Sequence, residues 1–348
     1  MATTEEKVLD ALRSVMDPDL NRDVVSLGFI KEVKIDGGRV SFKLELTTPA
    51  CPLKAQLKAA SEEAVKRISG VSGVDVDVTS RVTTHRVEEK GEILPGGKNI
   101  VAISSGKGGV GKSTVSVNLA AALAMTGARV GLLDTDIYGP SIPIMMGVTE
   151  KPEIREQKMV PIEKYGVHLM SIGFLIPEEQ AIIWRGPLVM KAVEQLLTDV
   201  EWGELDYLLI DLPPGTGDVQ LTIVQKVPLS GAVIVTTPQD VALLDVVRGI
   251  NMFKKVNVPI LGIVENMSFF QCPHCGERTD IFSHGGGAAS AKKQDVPFIG
   301  ELPIDPKIRA GGDAGTPIVV EDLKSPQSKI FMEIAGKLAA KISSLDKY

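Results

Sequence analysis

Two hydrophobic rhythms divide the chain. In the first 80-odd residues, apolar positions alternate with polar ones or recur at helical spacing. Val8, Leu9, Leu12 and Val15 share one face of a helix that Thr3 and Glu6 can open with a capping box. Val40, Phe42, Leu44 and Leu46 alternate with polar residues, as a half-buried strand requires, and Asp36-Gly37-Gly38 supplies a hairpin turn from a strand near Ile30 to Ile35. Pro52 opens a second helix carrying Leu53, Leu57, Ala60, Ala64 and Ile68, and Val74, Val76 and Val78 mark a last strand. Residues 1–84 therefore read as a small α+β domain. The stretch HRVEEKGEILPGGK, residues 85–98, is charged and then rich in Pro and Gly without periodicity, and reads as a linker.

From Asn99 the apolar residues come in unbroken runs: IVAIS, RVGLLD, YLLID, GAVIVTT, PILGIVE and PFIGEL. Strands buried on both faces have this composition. Residues 99–348 are therefore expected to form an α/β domain with a largely parallel sheet and helices on both faces. Near the end, Ile330, Ile334, Leu338 and Ile342 form a one-turn stripe flanked by alanines, which suits packing on the sheet better than lying in a membrane.

Composition narrows the function. With 44% hydrophobic and 24% charged residues, the 348-residue chain is of soluble globular type. Aromatics make up 4%, the net charge is -6 and no Lys/Arg block occurs, so neither base-stacking platforms nor a basic nucleic-acid surface is expected. No run reaches transmembrane length and MATTEEKVLD lacks the pattern of a secretory leader. Three cysteines are too few for a disulfide framework, and two of them form a CxxC. That usage points to metal or redox chemistry in a reducing compartment, and a cytoplasmic location is expected.

Gly106-Lys107-Gly108-Gly109-Val110-Gly111-Lys112-Ser113-Thr114 fits GxxxxGK[ST] between the run IVAIS and a helical segment. Glycines let backbone N–H groups wrap a phosphate chain, and the helix N-terminus adds positive potential. Lys112 is expected to reach the β- and γ-phosphates, and Ser113 to bind Mg²⁺. Asp211, at the end of YLLID, is placed to hold Mg²⁺ through water, and LPPGTGD after it suits a loop that senses the γ-phosphate. RVGLLD ends in Asp134-Thr135-Asp136, a second acidic site, of which Asp136 is the preferred functional member.

Lys107, directly after the first glycine, makes the loop similar to the deviant Walker A loop of MinD, ParA and the nitrogenase iron protein. That resemblance implies a homodimer in which Lys107 crosses to the partner's nucleotide, and in which Asp136 orients the attacking water or its Mg²⁺ shell. It also implies that Asn266, in a Val264–Ser268 segment ending a strand, contacts adenine, and that Pro303-Ile304-Asp305 flanks it.

Cys272-Pro273-His274-Cys275-Gly276 is a metal knuckle: two thiolates two residues apart can chelate one tetrahedral centre, and Gly276 allows the tight turn. With no second CxxC, a four-cysteine site needs two chains, and a symmetric dimer would supply it for one 4Fe-4S cluster. An intrachain zinc site completed by a histidine such as His284, or a redox pair, are the alternatives that spacing leaves open.

Taken together, SSGKGGVGKST, LLDTDIYGPS, WRGP (Trp184 to Pro187), DLPPGTGD, ENMS and CPHC resemble the Mrp/ApbC family of iron–sulfur carrier ATPases across most of residues 99–305. Membership implies ATP binding, slow hydrolysis, a homodimer and transient cluster transfer to apoproteins; from the composition, charge and tail stripe above, neither a nucleic-acid nor a membrane partner is expected. Asp17-Pro18-Asp19-Leu20, Val25-Ser26-Leu27-Gly28 and TTPACP resemble the SufT-type iron–sulfur assembly domain. Cys51, between a strand and the helix opened by Pro52, is accordingly a further candidate ligand or reactive thiol, against the alternative of a small buried residue.

Overall fold

The computed structural model describes residues 3–18, 20–84, 94, 96–137, 139–175 and 186–345, with the backbone alone at 186–187. They fall into two compact units, Met1–Thr83 with Ala339–Tyr348, and Thr84–Leu338.

In the first unit, α1 (Glu5–Leu12) buries Val8 and Leu12. Thr4, not Thr3, is the residue before the helix, and its side chain makes no cap bond, so the expected capping box does not form. Glu5 and Glu6 instead place negative charge against the exposed N–H groups of the first turn. Strands β1 (Ile30–Asp36) and β2 (Arg39–Leu46) pair antiparallel, with Asp36 opposite Arg39. Gly37 and Gly38 have φ of 50° and 87°, the double left-handed turn that matches the twist of paired strands. Val40, Phe42, Leu44 and Leu46 point into the core as the alternation predicts. Helix α2 (Lys54–Lys66) then crosses over to β3 (Gly73–Ser80), which pairs parallel with β2. α2 starts two residues beyond Pro52, because the chain first makes a turn in which Lys54 N–H donates to the Cys51 carbonyl. Cys51 thus stands ahead of the helix rather than at its first turn, half-buried against the small core.

The second unit is built on a nine-stranded sheet among the described residues. All six apolar runs are strands: β4 (Gly97–Ser105), β5 (Val130–Asp134), β7 (Leu205–Asp211), β8 (Gly231–Thr236), β9 (Ile260–Gln271) and β10 (Phe298–Ile304). Between β5 and β7 in sequence comes β6 (Val167–Ser171), which pairs parallel with β5. The parallel order is β6-β5-β7-β4-β8-β9-β10; Ile162–Lys164 runs antiparallel at the β6 edge, and Arg278–Thr279 pairs antiparallel with the far end of β9. Every residue of β5, β7 and β8 is buried, which explains their unbroken apolar composition.

Helix α3 (Lys112–Met125) is buried from Val115 to Leu123, and its Ala120-Ala121-Ala122 row keeps the helix axis close to its neighbours. α4 (Gly186–Thr198), α5 (Asp218–Lys226), α6 (Asp240–Lys255), α7 (Gly286–Gln294), α8 (Pro306–Ala314) and the tail helix α9 (Pro326–Ser343) complete the layers. Ile334 of α9 lies so close over β10 that a Cβ on Gly300 would stand 2.5 Å from its Cγ1, so this member of the tail stripe packs on the sheet. No helix among the described residues is long and apolar enough to cross a membrane.

Candidate nucleotide and metal sites

The phosphate loop leaves the carboxyl end of β4, a central strand of the sheet, and enters α3 at Lys112. Three of its glycines are required, for two different reasons. Gly109 and Gly111 have φ of 78° and 80°, which side-chain-bearing residues rarely adopt. At Gly106 the conformation is ordinary but space is absent: a Cβ there would stand 2.3 Å from Asp245 Cβ. The loop, Lys112–Thr114, Asp136 and Pro214 line a cavity of about 230 Å³ at the N-terminus of α3, where unpaired N–H groups and the helix dipole attract anions.

Beneath this cavity three side chains of α3 converge on one carboxylate. Lys112 Nζ lies 2.6 Å from Asp211 Oδ2, Ser113 Oγ donates to the same oxygen at 2.7 Å, and Ser116 Oγ donates to Oδ1 at 2.6 Å. Lys112 is also 3.8 Å from Asp136 Oδ2. Lys112 and Asp211 are 6% and 0% exposed, so each is the main counter-charge of the other. Asp136 lines the cavity, whereas Asp134 lies wholly inside. Asp134 accepts from the Asp136 N–H at 3.0 Å, Ser171 Oγ at 3.0 Å and the Ile142 N–H at 3.3 Å, and so anchors the loop that presents Asp136. Burial, then the Asp211 charge, pushes the Asp134 carboxyl up to about 7. The segment after Asp211 is hung on the central strand: Leu212 N–H donates to Ile103 O at 3.0 Å and Gly215 N–H to Ser105 O at 2.9 Å.

Lys107 Nζ reaches Gln239 Oε1 at 3.3 Å, just ahead of α6, on whose surface Val241 and Leu244 are each 66% exposed. Asn266 Nδ2 donates to the Val110 carbonyl at 2.8 Å, and a Cβ on Gly111 would stand 2.2 Å from that nitrogen. Asn266 does not end its strand, as the sequence suggested. β9 continues to Gln271 through an irregular stretch where pairing with β10 slips from Glu265↔Glu301 to Phe269↔Pro303. Met267, in that stretch, has φ of 55°.

The cysteines follow directly. Cys272 N–H donates to Glu277 O and Gly276 N–H to Cys272 O, both at 2.9 Å, closing a tight turn in which Gly276 has φ of 74°. Hydrogen bonds from the Cys275 and His274 backbone, then from the Cys275 side chain, hold the Cys272 thiol below its ordinary value. Cys272 is half-buried and Cys275 exposed. His284 is turned elsewhere: its Nε2 lies 2.8 Å from Glu301 Oε2, in a group with Glu265 that contains neither cysteine. A cavity of about 290 Å³ beside the knuckle is lined by Phe269, Cys272, Pro303, Asp305, Lys307 and Ile330 among others.

The structure therefore gathers Lys107, Lys112, Ser113, Asp136, Asp211 and Asn266 around one loop, and places Cys272 and Cys275 at the end of the strand that carries Asn266. Cys51 belongs to the other unit. Trp184 and Arg185 of WRGP lie outside the described residues, as does Asp19. Sequence reasoning passed over Ser116, whose position one turn after Lys112 was the available signal, and Gln239 and Glu265, for which no local signal exists.

Loop, acids and strand order define the class of this protein: a P-loop nucleoside triphosphatase on a mostly parallel sheet. Comparison with known proteins gives the particular family. Residues 96–339 match the family described as ParA, NUBPL iron-transfer P-loop NTPase, and residues 5–78 match that described as iron-sulfur cluster assembly protein. An iron-sulfur cluster carrier protein of Synechocystis is 49% identical over 346 residues, covering 98% of each chain. The iron-sulfur cluster transfer protein NUBPL of Dictyostelium discoideum is 54% identical over 256 residues, 73% of this chain and 79% of that one. Among solved structures, a nucleotide-binding protein of Archaeoglobus fulgidus in complex with ADP is 42% identical with a TM-score of 0.61, over 68% of this chain and 93% of that one. The cell division ATPase MinD of Pyrococcus furiosus, 24% identical with a TM-score of 0.53 over 69% of this chain and 97% of that one, shares the fold. The chain belongs to the NUBPL iron-transfer P-loop NTPase family, and the Mrp/ApbC and MinD/ParA resemblances read from its motifs hold.

Proposed function

We propose that this protein binds and hydrolyses ATP and carries an iron–sulfur cluster, a 4Fe-4S cluster bridging a homodimer, from cytoplasmic donors to apoproteins. The observation that carries the reading is the pairing of a complete phosphate loop with half a cluster site: one CxxC, two thiols, directly after the strand that touches the loop. Four thiolates require a second copy. The exposed Val241 and Leu244 beside Lys107 offer apolar surface on the side from which a partner's nucleotide would be reached. The carrier and transfer names of the relatives, and the ADP in the Archaeoglobus neighbour, support the same reading. A net charge of -6 favours protein clients over nucleic acid or an anionic membrane.

In this reading Lys112 leaves Asp211 for the β- and γ-phosphates, and Lys107 extends from Gln239 towards the partner's nucleotide. Ser113 Oγ and the Asp211 carboxylate, 2.7 Å apart, form the hard oxygen donor set that suits Mg²⁺, which when bound neutralises charge on the phosphate oxygens. Asp136 orients a water whose oxygen bonds to the γ-phosphorus as the bond to the ADP oxygen breaks, the water proton passing to solvent or phosphate. By the family resemblance Asn266 and Pro303–Asp305 flank the base; Asn266 is bonded to the loop, while Pro303 and Asp305 line the cavity beside the knuckle.

The test is the Cys272→Ala/Cys275→Ala double variant, reconstituted anaerobically beside the wild type. The expected result is loss of bound iron, sulfide and visible colour with ATP hydrolysis retained, while His284→Ala keeps all three. A double variant with the full complement of iron and sulfide means that these cysteines are not the cluster site.

A further inference from the structure

The functional reading leaves open how a nucleotide is felt at the cysteines, and the irregular middle of β9 bears on this. Six residues after Asn266, the same strand delivers Cys272. At one end Asn266 is bonded to the Val110 carbonyl and packed against Gly111, so β9 and the phosphate loop move together or lose a buried hydrogen bond. Between the two, β9 spends Glu265 to Phe269 where β10 spends only Glu301 to Pro303, and Met267 sits in the left-handed region. Such bulges re-aim the chain that follows them.

The return side of the cysteine loop is fastened to the same bulge. Ser268 Oγ, fully buried, donates to Glu265 Oε1 at 2.6 Å and lies 3.2 Å from Glu301 Oε2. Glu265 accepts the Gly285 N–H at 3.2 Å and the Gly287 N–H at the start of α7. Glu301 takes Arg278 at 3.3 Å and His284 at 2.8 Å, and the Arg278 guanidinium stacks 4.0 Å above Phe269. Both arms that hold Cys272 and Cys275 therefore converge on one hydrogen-bonded node, and the node adjoins the residue that touches the phosphate loop.

We propose that Ser268, with Glu265 and Glu301, forms a positioning node that transmits the state of the phosphate loop to the Cys272–Cys275 knuckle. This inference rests on the functional reading above and deepens it. A nucleotide that shifts Val110 and Asn266 shifts the bulge, and the node makes the outgoing strand and the returning 278–287 segment shift as one. The Ser268 hydroxyl has one proton for two carboxylates, so it has two alternative arrangements, donating to Glu265 or to Glu301. Without the node, the loop can bind nucleotide and the knuckle can bind metal, each deaf to the other.

The test uses full-length, metal-free, reduced protein. Alkylation rates of Cys272 and Cys275 by iodoacetamide are read by peptide mass spectrometry without nucleotide, with Mg-ADP and with a slowly hydrolysed ATP analogue, Cys51 in the same digest serving as reference. Nucleotide affinity is measured separately. In the wild type, saturating nucleotide is expected to change the knuckle rates about fivefold or more, the range of ordinary coupling between sites. Ser268→Ala and Glu301→Gln are expected to bind nucleotide with unchanged affinity and to lose that change, and Ser268→Thr, which keeps the hydroxyl, to restore it. Glu301 is part-exposed, so its variant keeps the test available if the buried Ser268→Ala unfolds. Variants that retain the nucleotide effect, or a wild type that binds nucleotide with no effect on the knuckle, overturn the node. A wild type that binds no nucleotide overturns the functional reading, and the node with it.

Discussion

Lys112 and Asp211 are 6% and 0% exposed and their charges meet at 2.6 Å, whereas Cys272 is half-buried, Cys275 is exposed and both thiols stand on a loop held by backbone turns. At the phosphate loop, each charged group is already engaged by others of the same chain, and Gly106, Gly109 and Gly111 are fixed by φ or by space. A ligand arriving there exchanges partners that the fold has positioned. At the knuckle, backbone hydrogen bonds favour the Cys272 thiolate, and one chain offers two of the four thiols that the proposed cluster needs. The first is a site whose charges one chain already pairs with one another, and the second is one whose thiols a chain offers. This difference suits a carrier: the energy-using centre has to be fixed, and cargo has to be reachable by its donor and its recipient.

The largest break in the comparison comes from Lys112→Ala. It leaves Asp211 buried without its cation and removes the charge proposed to meet the phosphates. ATP hydrolysis should fall about 10²–10³-fold, the usual scale for deleting one preorganised charge-stabilising group. Reconstituted iron and sulfide should remain at wild-type levels, as measured on the same preparation. If the iron is lost with the hydrolysis, the two centres are not separately built.

A middle-sized effect is expected from Gly111→Ala, which forces a side chain onto φ of 80° and places its Cβ 2.2 Å from Asn266 Nδ2. Thermal unfolding should show a loss of about 1–3 kcal/mol, with nucleotide affinity falling in parallel. Gly108, where a Cβ would meet nothing within 4 Å, is the control, and Gly108→Ala should cost much less stability.

Much of this was legible before the fold was known, and the exceptions share a cause. Six apolar runs became six strands because burial on both faces of a parallel sheet leaves no room for polar residues. The phosphate loop was legible because its chemistry is local, needing glycine at fixed offsets from a lysine. The strand Val167–Ser171 was missed because it is short and its apolar run is interrupted by the part-buried His168. β9 was cut short at ENMS because Glu265, Asn266 and Ser268 look like a turn, yet all three are buried, each satisfied by a partner far away in sequence. Asp211 announced itself at a strand end, but its bond to Ser116 depended on how α3 lies on the sheet. The capping box at Thr3 failed because the helix begins one residue later than expected, with Thr4 at the N-cap and Lys7 rather than an acid three residues on.

The smallest expected effect touches neither site. Asp206, at the other end of β7 from Asp211, lies 2.8 Å from Lys98 and 3.0 Å from Arg129. Burial works to raise its carboxyl, but the hydrogen bonds from Arg129 and Lys98 outweigh it and hold the group below the ordinary range. Stability from a depressed carboxylate is fully present above the unfolded value near ~4 and drains away as pH falls through the lower folded value. Asp206→Asn should therefore cost about 0.5–1.5 kcal/mol at neutral pH, because half-exposed Arg129 is screened by solvent and Asn still accepts hydrogen bonds, with most of the difference from wild type gone in strong acid. Unfolding curves across pH read this directly, and nucleotide and metal binding at pH 7 should be unchanged.

The central claim, half a cluster site per chain, is met most directly by purifying the protein anaerobically, reconstituting it with iron and sulfide, and measuring iron, sulfide, zinc and solution mass together. The account predicts a dimer with about four irons and four sulfides, coloured by thiolate-to-iron absorption. One zinc per chain in a colourless monomer without sulfide would contradict it.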